Sequence, residues 1–160
     1  MSPSPWVVLK FGGTSVANRA RWQTISTQAA ARVADGLRPV LVCSAVSGTS
    51  DLLSGLPDHA LAGTHQPVVA ELRTRHQALA QELGIPLPPQ AAGILDQLSS
   101  IAEGIALVEE VGPRVRARIL SAGELLSTRI GAAFLAEQGL EVRWADARSL
   151  LEATPDEDRP

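Results

Sequence analysis

The chain has 160 residues, a formal net charge of −3 and 45% hydrophobic residues. That is enough for one domain with its own core, and the slightly acidic balance argues against nucleic acid or an anionic membrane surface as a partner. No apolar run is long enough to span a bilayer, Met1-Ser2-Pro3-Ser4-Pro5 lacks the basic region and apolar core of a secretion signal, and the lone Cys43 excludes an internal disulfide; the expectation is a soluble, cytoplasmic protein.

The first element is a short apolar strand, Trp6-Val7-Val8-Leu9, running into Lys10-Phe11-Gly12-Gly13-Thr14-Ser15-Val16. A strand, a glycine turn and a helix start form a common cradle for phosphate. Glycines let the backbone approach the anion, and N–H groups at the turn point at it. Of the 14 Lys and Arg residues, Lys10 is the only lysine. A compact ammonium suits one phosphoryl oxygen better than a flat guanidinium fork. The plain alternative is a lysine snorkelling from a strand end to water. The turn is neither a P-loop, since the lysine precedes the glycines, nor Gly-x-Gly-x-x-Gly.

Asn18 is a plausible helix cap, and Trp22, Ile25, Ala29 and Val33 recur at helical spacing up to Gly36. Pro39 to Cys43 is an unbroken apolar run, which predicts a strand buried on both faces in a parallel sheet covered by helices. The unit is β-α-β, with the strands side by side. Cys43 within it reads as a buried thiol.

Ser44-Ala45-Val46-Ser47-Gly48-Thr49-Ser50-Asp51 then lies at the carboxyl end of the second strand, the edge where open α/β sheets bind ligands. Its competing reading is an ordinary connector, with Ser50 capping a helix that starts near Asp51. Residues 52–63 predict a short helix broken by Pro57 and Gly63. Helices are predicted from Pro67 to Leu83, with His76 as a packed histidine on the apolar stripe, and from about Gln90 to Val111, joined by a stiff Ile85–Pro89 linker. Together they suggest an antiparallel hairpin within a mainly helical 51–113 segment. His59, His65 and His76 have no ligand-like spacing, so no metal site is expected.

Arg114, Arg116 and Arg118 read as solvated arginines. A helix is predicted to open at Ser121, run to about Gln138 and stop at Gly139. Ser121 and Glu124 match the capping box Ser-x-x-Glu; the competing reading of Glu124 is a carboxylate that holds a substrate ammonium group. Val142 and Trp144 alternate with polar residues, as in a half-buried strand. Residues 154–160 are polar and expected to form a loose tail.

Three of these segments, Lys10 to Val16, Ser44 to Leu53 and Ser121 to Ser127, resemble the aspartokinases of the amino-acid kinase superfamily in order and rough spacing, and Trp144-Ala145-Asp146-Ala147-Arg148 is similar to a later strand and turn of that family. The resemblance implies a three-layer α/β/α amino-acid-kinase-like fold with a mostly parallel sheet, of which residues 1–160 form the N-terminal portion with a helical hairpin insertion. It implies transfer of the γ-phosphoryl group of ATP to the side-chain carboxylate of L-aspartate, giving 4-phospho-L-aspartate for lysine, threonine and methionine synthesis. Lys10 would be the catalytic cation. Gly12, Gly13, Thr14 and Ser15 would line the phosphates, Ser44 and Thr49 or Ser50 the aspartate, and Glu124 would pair with its ammonium. Mg²⁺ would accompany ATP, with no metal held by this chain alone. A homo-oligomer is implied, with further domains fused in the full-length protein. The attacking carboxylate is already ionised, so no general base is needed. The chain departs from the family pattern in having Ser50 where threonine is usual and Ala122 where an aromatic is usual. It also ends before the family's downstream half, which supplies most nucleotide contacts. Two rivals follow: another phosphotransferase of the same superfamily, or a non-catalytic binding fragment.

Overall fold

The computed structural model describes residues 5–151. Strand β1 (Trp6–Phe11) leads through a 3-10 turn (Gly13–Val16) into α1 (Arg19–Ala34), and β2 (Arg38–Cys43) returns parallel to β1, with Trp6 opposite Arg38 and Phe11 opposite Cys43. Four helices follow: α2 (Thr49–Leu61), α3 (Gln66–Leu83), α4 (Pro89–Val108) and α5 (Pro113–Glu137). This is the helix-rich part of an α/β domain, carrying a small parallel sheet.

Local chemistry accounts for the first unit. Asn18 caps α1, its side chain accepting from the Arg21 N–H at 3.0 Å. Trp22, Ile25 and Ala29 form the buried stripe. The Trp22 indole N–H donates to the Val16 carbonyl at 3.0 Å, so the largest core side chain leaves no polar group unsatisfied. Its ring lies against Gly131 of α5, where a Cβ would come within 1.8 Å of the ring. The core continues through Leu53 and Leu56 of α2, Leu72 of α3, Leu95 and Leu98 of α4, and Ile119, Leu126, Ile130 and Phe134 of α5.

The structure corrects several expectations. Strand β2 is not buried on both faces. Both strands alternate, and Trp6, Val8, Val40 and Val42 stand exposed on the face away from the helices. Among the described residues, helices cover one side of the sheet only. The segment 52–63 is not broken at Pro57: α2 runs through it, with the ring buried. A proline costs a helix its bond to the carbonyl four residues back, and burial against the core outweighs that loss here. Ser50 is not a cap; it is the second residue of α2, and the cap position is Gly48 in the left-handed region, φ 78°.

Helix α4 ends at Val108 rather than Val111, with Glu109 left-handed at φ 55°. The larger correction is α5. It starts at Pro113 and continues for 25 residues, so Ser121 and Glu124 lie inside it and no capping box exists. The Ser121 hydroxyl donates back to the Arg118 carbonyl at 2.9 Å. Proline at a helix start is favourable, because its missing N–H has no partner there anyway. The alternating arginines hid the stripe Ile119, Ala122, Leu126 and Ile130. Helices α4 and α5 are also long and apolar enough to cross a membrane by length and composition, although neither has an unbroken apolar run. Their stripes instead pack on each other and on α2.

Glu141 to Asp146 pairs with no strand among the described residues. It lies along α5, where the Trp144 indole donates to the Thr128 hydroxyl at 3.1 Å and the Arg129 guanidinium sits 3.3 Å from the ring centroid. The expected tail, 154–160, lies outside the described residues.

Candidate active site

Both candidate loops emerge at the carboxyl edge of the sheet. Lys10, opposite Val42, stands exposed on the helix-free face and makes no hydrogen bond or ion pair among the described residues. Phe11 ends the strand. Gly12 is extended, and its carbonyl accepts the Ser15 N–H at 2.9 Å, which closes the turn. Thr14 is exposed and Ser15 half-buried.

The second loop is stitched to the first. The Ser44 N–H donates to the Phe11 carbonyl at 3.0 Å, prolonging the ladder, and the Ser47 N–H donates to the Gly13 carbonyl at 3.3 Å. Gly13 is required by proximity: a Cβ there would lie 2.7 Å from the Ala45 carbonyl oxygen.

Helix α5 comes to the same loop. The Ala45 N–H donates to Glu124 Oε1 in a long bond of 3.4 Å, and Ser127 Oγ donates to the Ser44 carbonyl at 2.7 Å. Glu124 and Ser127 are three apart, so they share a helix face. Gly123 permits the approach, since a Cβ on it would meet the Ala45 Cβ at 2.8 Å and Leu53 at 3.1 Å. Glu124 is nevertheless exposed, and its second oxygen makes no hydrogen bond among the described residues.

The two neighbouring hydroxyls, Thr49 and Ser50, separate cleanly. Thr49 is fully buried, with its methyl towards Gly123 and its hydroxyl without a partner. Ser50 is exposed in the first turn of α2, which has no side-chain cap. Of the expected site residues, the turn Gly12–Ser15, Ser44 and Glu124 belong to segments joined by direct hydrogen bonds. Thr49 is packed away from solvent.

Sequence reasoning assigned no role to Ser127, Gly123 or Arg75. Ser127 could have been found from its spacing to Glu124. Arg75 had no local signal. It reaches from α3, held by Glu71 at 2.6 Å, and its guanidinium lies 2.9 Å from where a Gly48 Cβ would be. A side chain at position 48 would push the flexible end of Arg75 aside, and the left-handed backbone at φ 78° is what favours glycine there.

Comparison with known proteins identifies the family. A family model described as the amino acid kinase family matches residues 5–159. Aspartokinase 1, chloroplastic, of Arabidopsis thaliana is 32% identical over 155 residues, covering 94% of this chain and 27% of the relative. Lysine-sensitive aspartokinase 3 of Escherichia coli is 28% identical over 147 residues, covering 91% of this chain and 32% of the relative. The crystal structure of E. coli aspartokinase III in complex with aspartate and ADP superposes with a TM-score of 0.76 at 26% identity, over 91% of this chain and 31% of that one. The chain thus spans less than a third of the length of these relatives. With its strand–turn–helix opening and its second loop tied to α5, it belongs to the amino acid kinase family.

Proposed function

We propose that residues 1–160 form the N-terminal portion of the catalytic domain of an aspartate kinase, a soluble cytoplasmic enzyme. It would transfer the γ-phosphoryl group of MgATP to the side-chain carboxylate of L-aspartate, giving 4-phospho-L-aspartate, the first step towards lysine, threonine and methionine. The observation that carries this reading is the convergence of the Gly12–Gly13 turn, the Ser44–Ser50 loop and Glu124 through hydrogen bonds between segments far apart in sequence. The relative crystallised with aspartate and ADP supports aspartate and an adenine nucleotide as the ligands.

The reaction brings two anions together and spreads charge over the transferring group, so positioning and cations do most of the catalysis. Lys10 supplies the cation at the phosphoryl oxygens, and the backbone N–H groups of Gly12 and Gly13 supply donors beside it. Thr14 and Ser15 line the phosphate turn. Ser44 and Ser50 contact the aspartate, with Thr49 as a packing residue, and Glu124 pairs with the ammonium group. The aspartate carboxylate attacks as it stands, being ionised at neutral pH. Mg²⁺ enters with ATP. The working enzyme would be a homo-oligomer with further domains.

The test is hydroxylamine trapping of aspartyl phosphate with MgATP and aspartate, run on this chain and on one extended past Pro160, with Lys10→Ala as control. Trapped product that falls by about a hundredfold or more in the control, the scale of a lost electrostatic catalyst, supports the reading. Unchanged turnover removes Lys10 from the phosphate site. Glutamate competing as well as aspartate would favour another phosphotransferase of the family. No product from either chain would leave a binding fragment.

A further inference from the structure

A second pocket lies on another side of α5, away from the loops. It is a cavity of about 370 Å³ between α4, α5 and the segment around Trp144. Its α5 wall is Arg118, Ala122, Leu125 and Arg129, spaced as one helical stripe. Glu124 is off that stripe and faces Ala45. The pocket therefore lies on the neighbouring face of the helix that carries Glu124, with Ser121 and Thr128 between the two.

Ile94, Leu98 and Ile101 of α4 with Leu125 give it an apolar patch, Gln90 and Gln97 of α4 line it beside them, and its charged residues are cationic on balance. Three guanidinium groups, Arg118, Arg129 and Arg148, face one carboxylate, Asp146. Two of the three are fixed in advance. Arg148 grips Asp146 with Nε at 2.9 Å and Nη2 at 2.7 Å, and its Nη1 reaches the Ser121 hydroxyl at 3.3 Å. Arg129 is stacked on Trp144, whose indole is itself pinned by Thr128. Among the described residues neither Arg118 nor Arg129 has an ion-pair partner. Asp146 is spent on Arg148, which holds its carboxyl below the usual range, with Arg129 adding to the effect.

Like charges gathered at one place repel one another and favour an anion. Guanidinium forks match the planar geometry of a carboxylate. The apolar patch selects a ligand with a hydrocarbon body over a bare inorganic ion, and the volume suits a small organic molecule. We propose that this pocket binds an organic carboxylate with an apolar body, clamped by Arg118 and Arg129 over Ile94, Leu98 and Leu125. The proposal stands independently of the phosphotransfer reading.

Benzoate is a suitable probe and benzyl alcohol its neutral counterpart. Each is titrated into the ¹⁵N-labelled chain, following the Trp144 indole N–H by NMR. Benzoate should shift that resonance saturably, benzyl alcohol should bind at least about tenfold more weakly, and Arg118→Gln and Arg129→Gln should each cost about tenfold or more while the rest of the spectrum is unchanged. The chain carries its own carboxylates just beyond, at Glu152, Asp156, Glu157 and Asp158. A variant with these four as amides identifies the source. Benzoate binding that appears or tightens about tenfold there means the chain's own carboxylates occupy the same clamp, and unchanged binding means a free ligand does. No saturable Trp144 shift in either chain, or equal affinity for benzyl alcohol, would overturn the proposal.

Discussion

Glu124 illustrates how one residue's meaning depends on its place in an element. In a capping box its carboxylate would be consumed by the backbone at a helix start. In the structure it lies well inside α5 and accepts only the long Ala45 bond. Glu124→Gln keeps an acceptor for Ala45 and loses the charge. Aspartate should therefore bind about ten- to a hundredfold more weakly in the complete enzyme, matching the roughly 1.5–3 kcal/mol of a hydrogen bond to a charged group. The melting temperature should hardly move. Calorimetric titration with aspartate checks this; a variant that melts early yet binds aspartate normally would make Glu124 a structural tie. Lys10 stands exposed near the end of β1, and its phosphate role rests on the trapping assay.

At the scale of elements, α5 is the organising helix, since the loop, α2, α4 and the Trp22 ring all pack on it. Two glycines make this possible by absence of a side chain. At Gly131, alanine would gain up to about 1 kcal/mol of helix propensity. It would also place a methyl inside the Trp22 ring, and overpacking a filled core costs about 1–3 kcal/mol or more. The clash wins, because Trp22 is fully buried and tied to Val16. Gly131→Ala should lower stability by about 2 kcal/mol in urea unfolding. Gly104→Ala, on an open face of α4 with nothing within 4 Å, should raise it by about 0.5–1 kcal/mol. Equal behaviour of the two would mean Trp22 yields freely. The elements themselves were largely readable: α1, α3 and the two strands follow from period and punctuation. The start of α5 was not, because three arginines spaced by two imitate a polar loop when the stripe beneath them is read too briefly.

For the whole molecule, the buried histidine of α3 sets an acid limit. His76 Nδ1 lies 2.7 Å from the Leu72 carbonyl and so carries the proton, while Nε2 has no partner in the core. Burial holds its pKa below the ordinary 6.5, the Leu72 carbonyl partly opposes this, and the Arg75 charge pushes the same way as burial. The unfolded chain takes up a proton near the ordinary value before the folded one does. Stability is therefore full above about pH 6.5, and is lost as pH falls towards the lowered folded pKa. Urea midpoints should drop between pH 7.5 and 5.5, and the drop should shrink in His76→Leu; an undiminished drop would assign the acid sensitivity elsewhere. Cys43 adds nothing in this range, since burial raises its thiol to about 11.

The sequence by itself determined the family, the β-α-β opening and the candidate site segments, because each is a local pattern: a strand run, a glycine turn, a hydroxyl loop, a helical period. Only the tertiary structure decided what those segments do to one another. Among the described residues it set helices on one face of the sheet only, since a strand's apolar content does not say which layers reach it. It packed Thr49 inward and left Ser50 outside, since a helix start assigns adjacent residues to different sides. It set Gly13 and Gly123 against Ala45, and Arg129 over Trp144, contacts between residues whose side chains, or lack of them, matter only once distant segments meet.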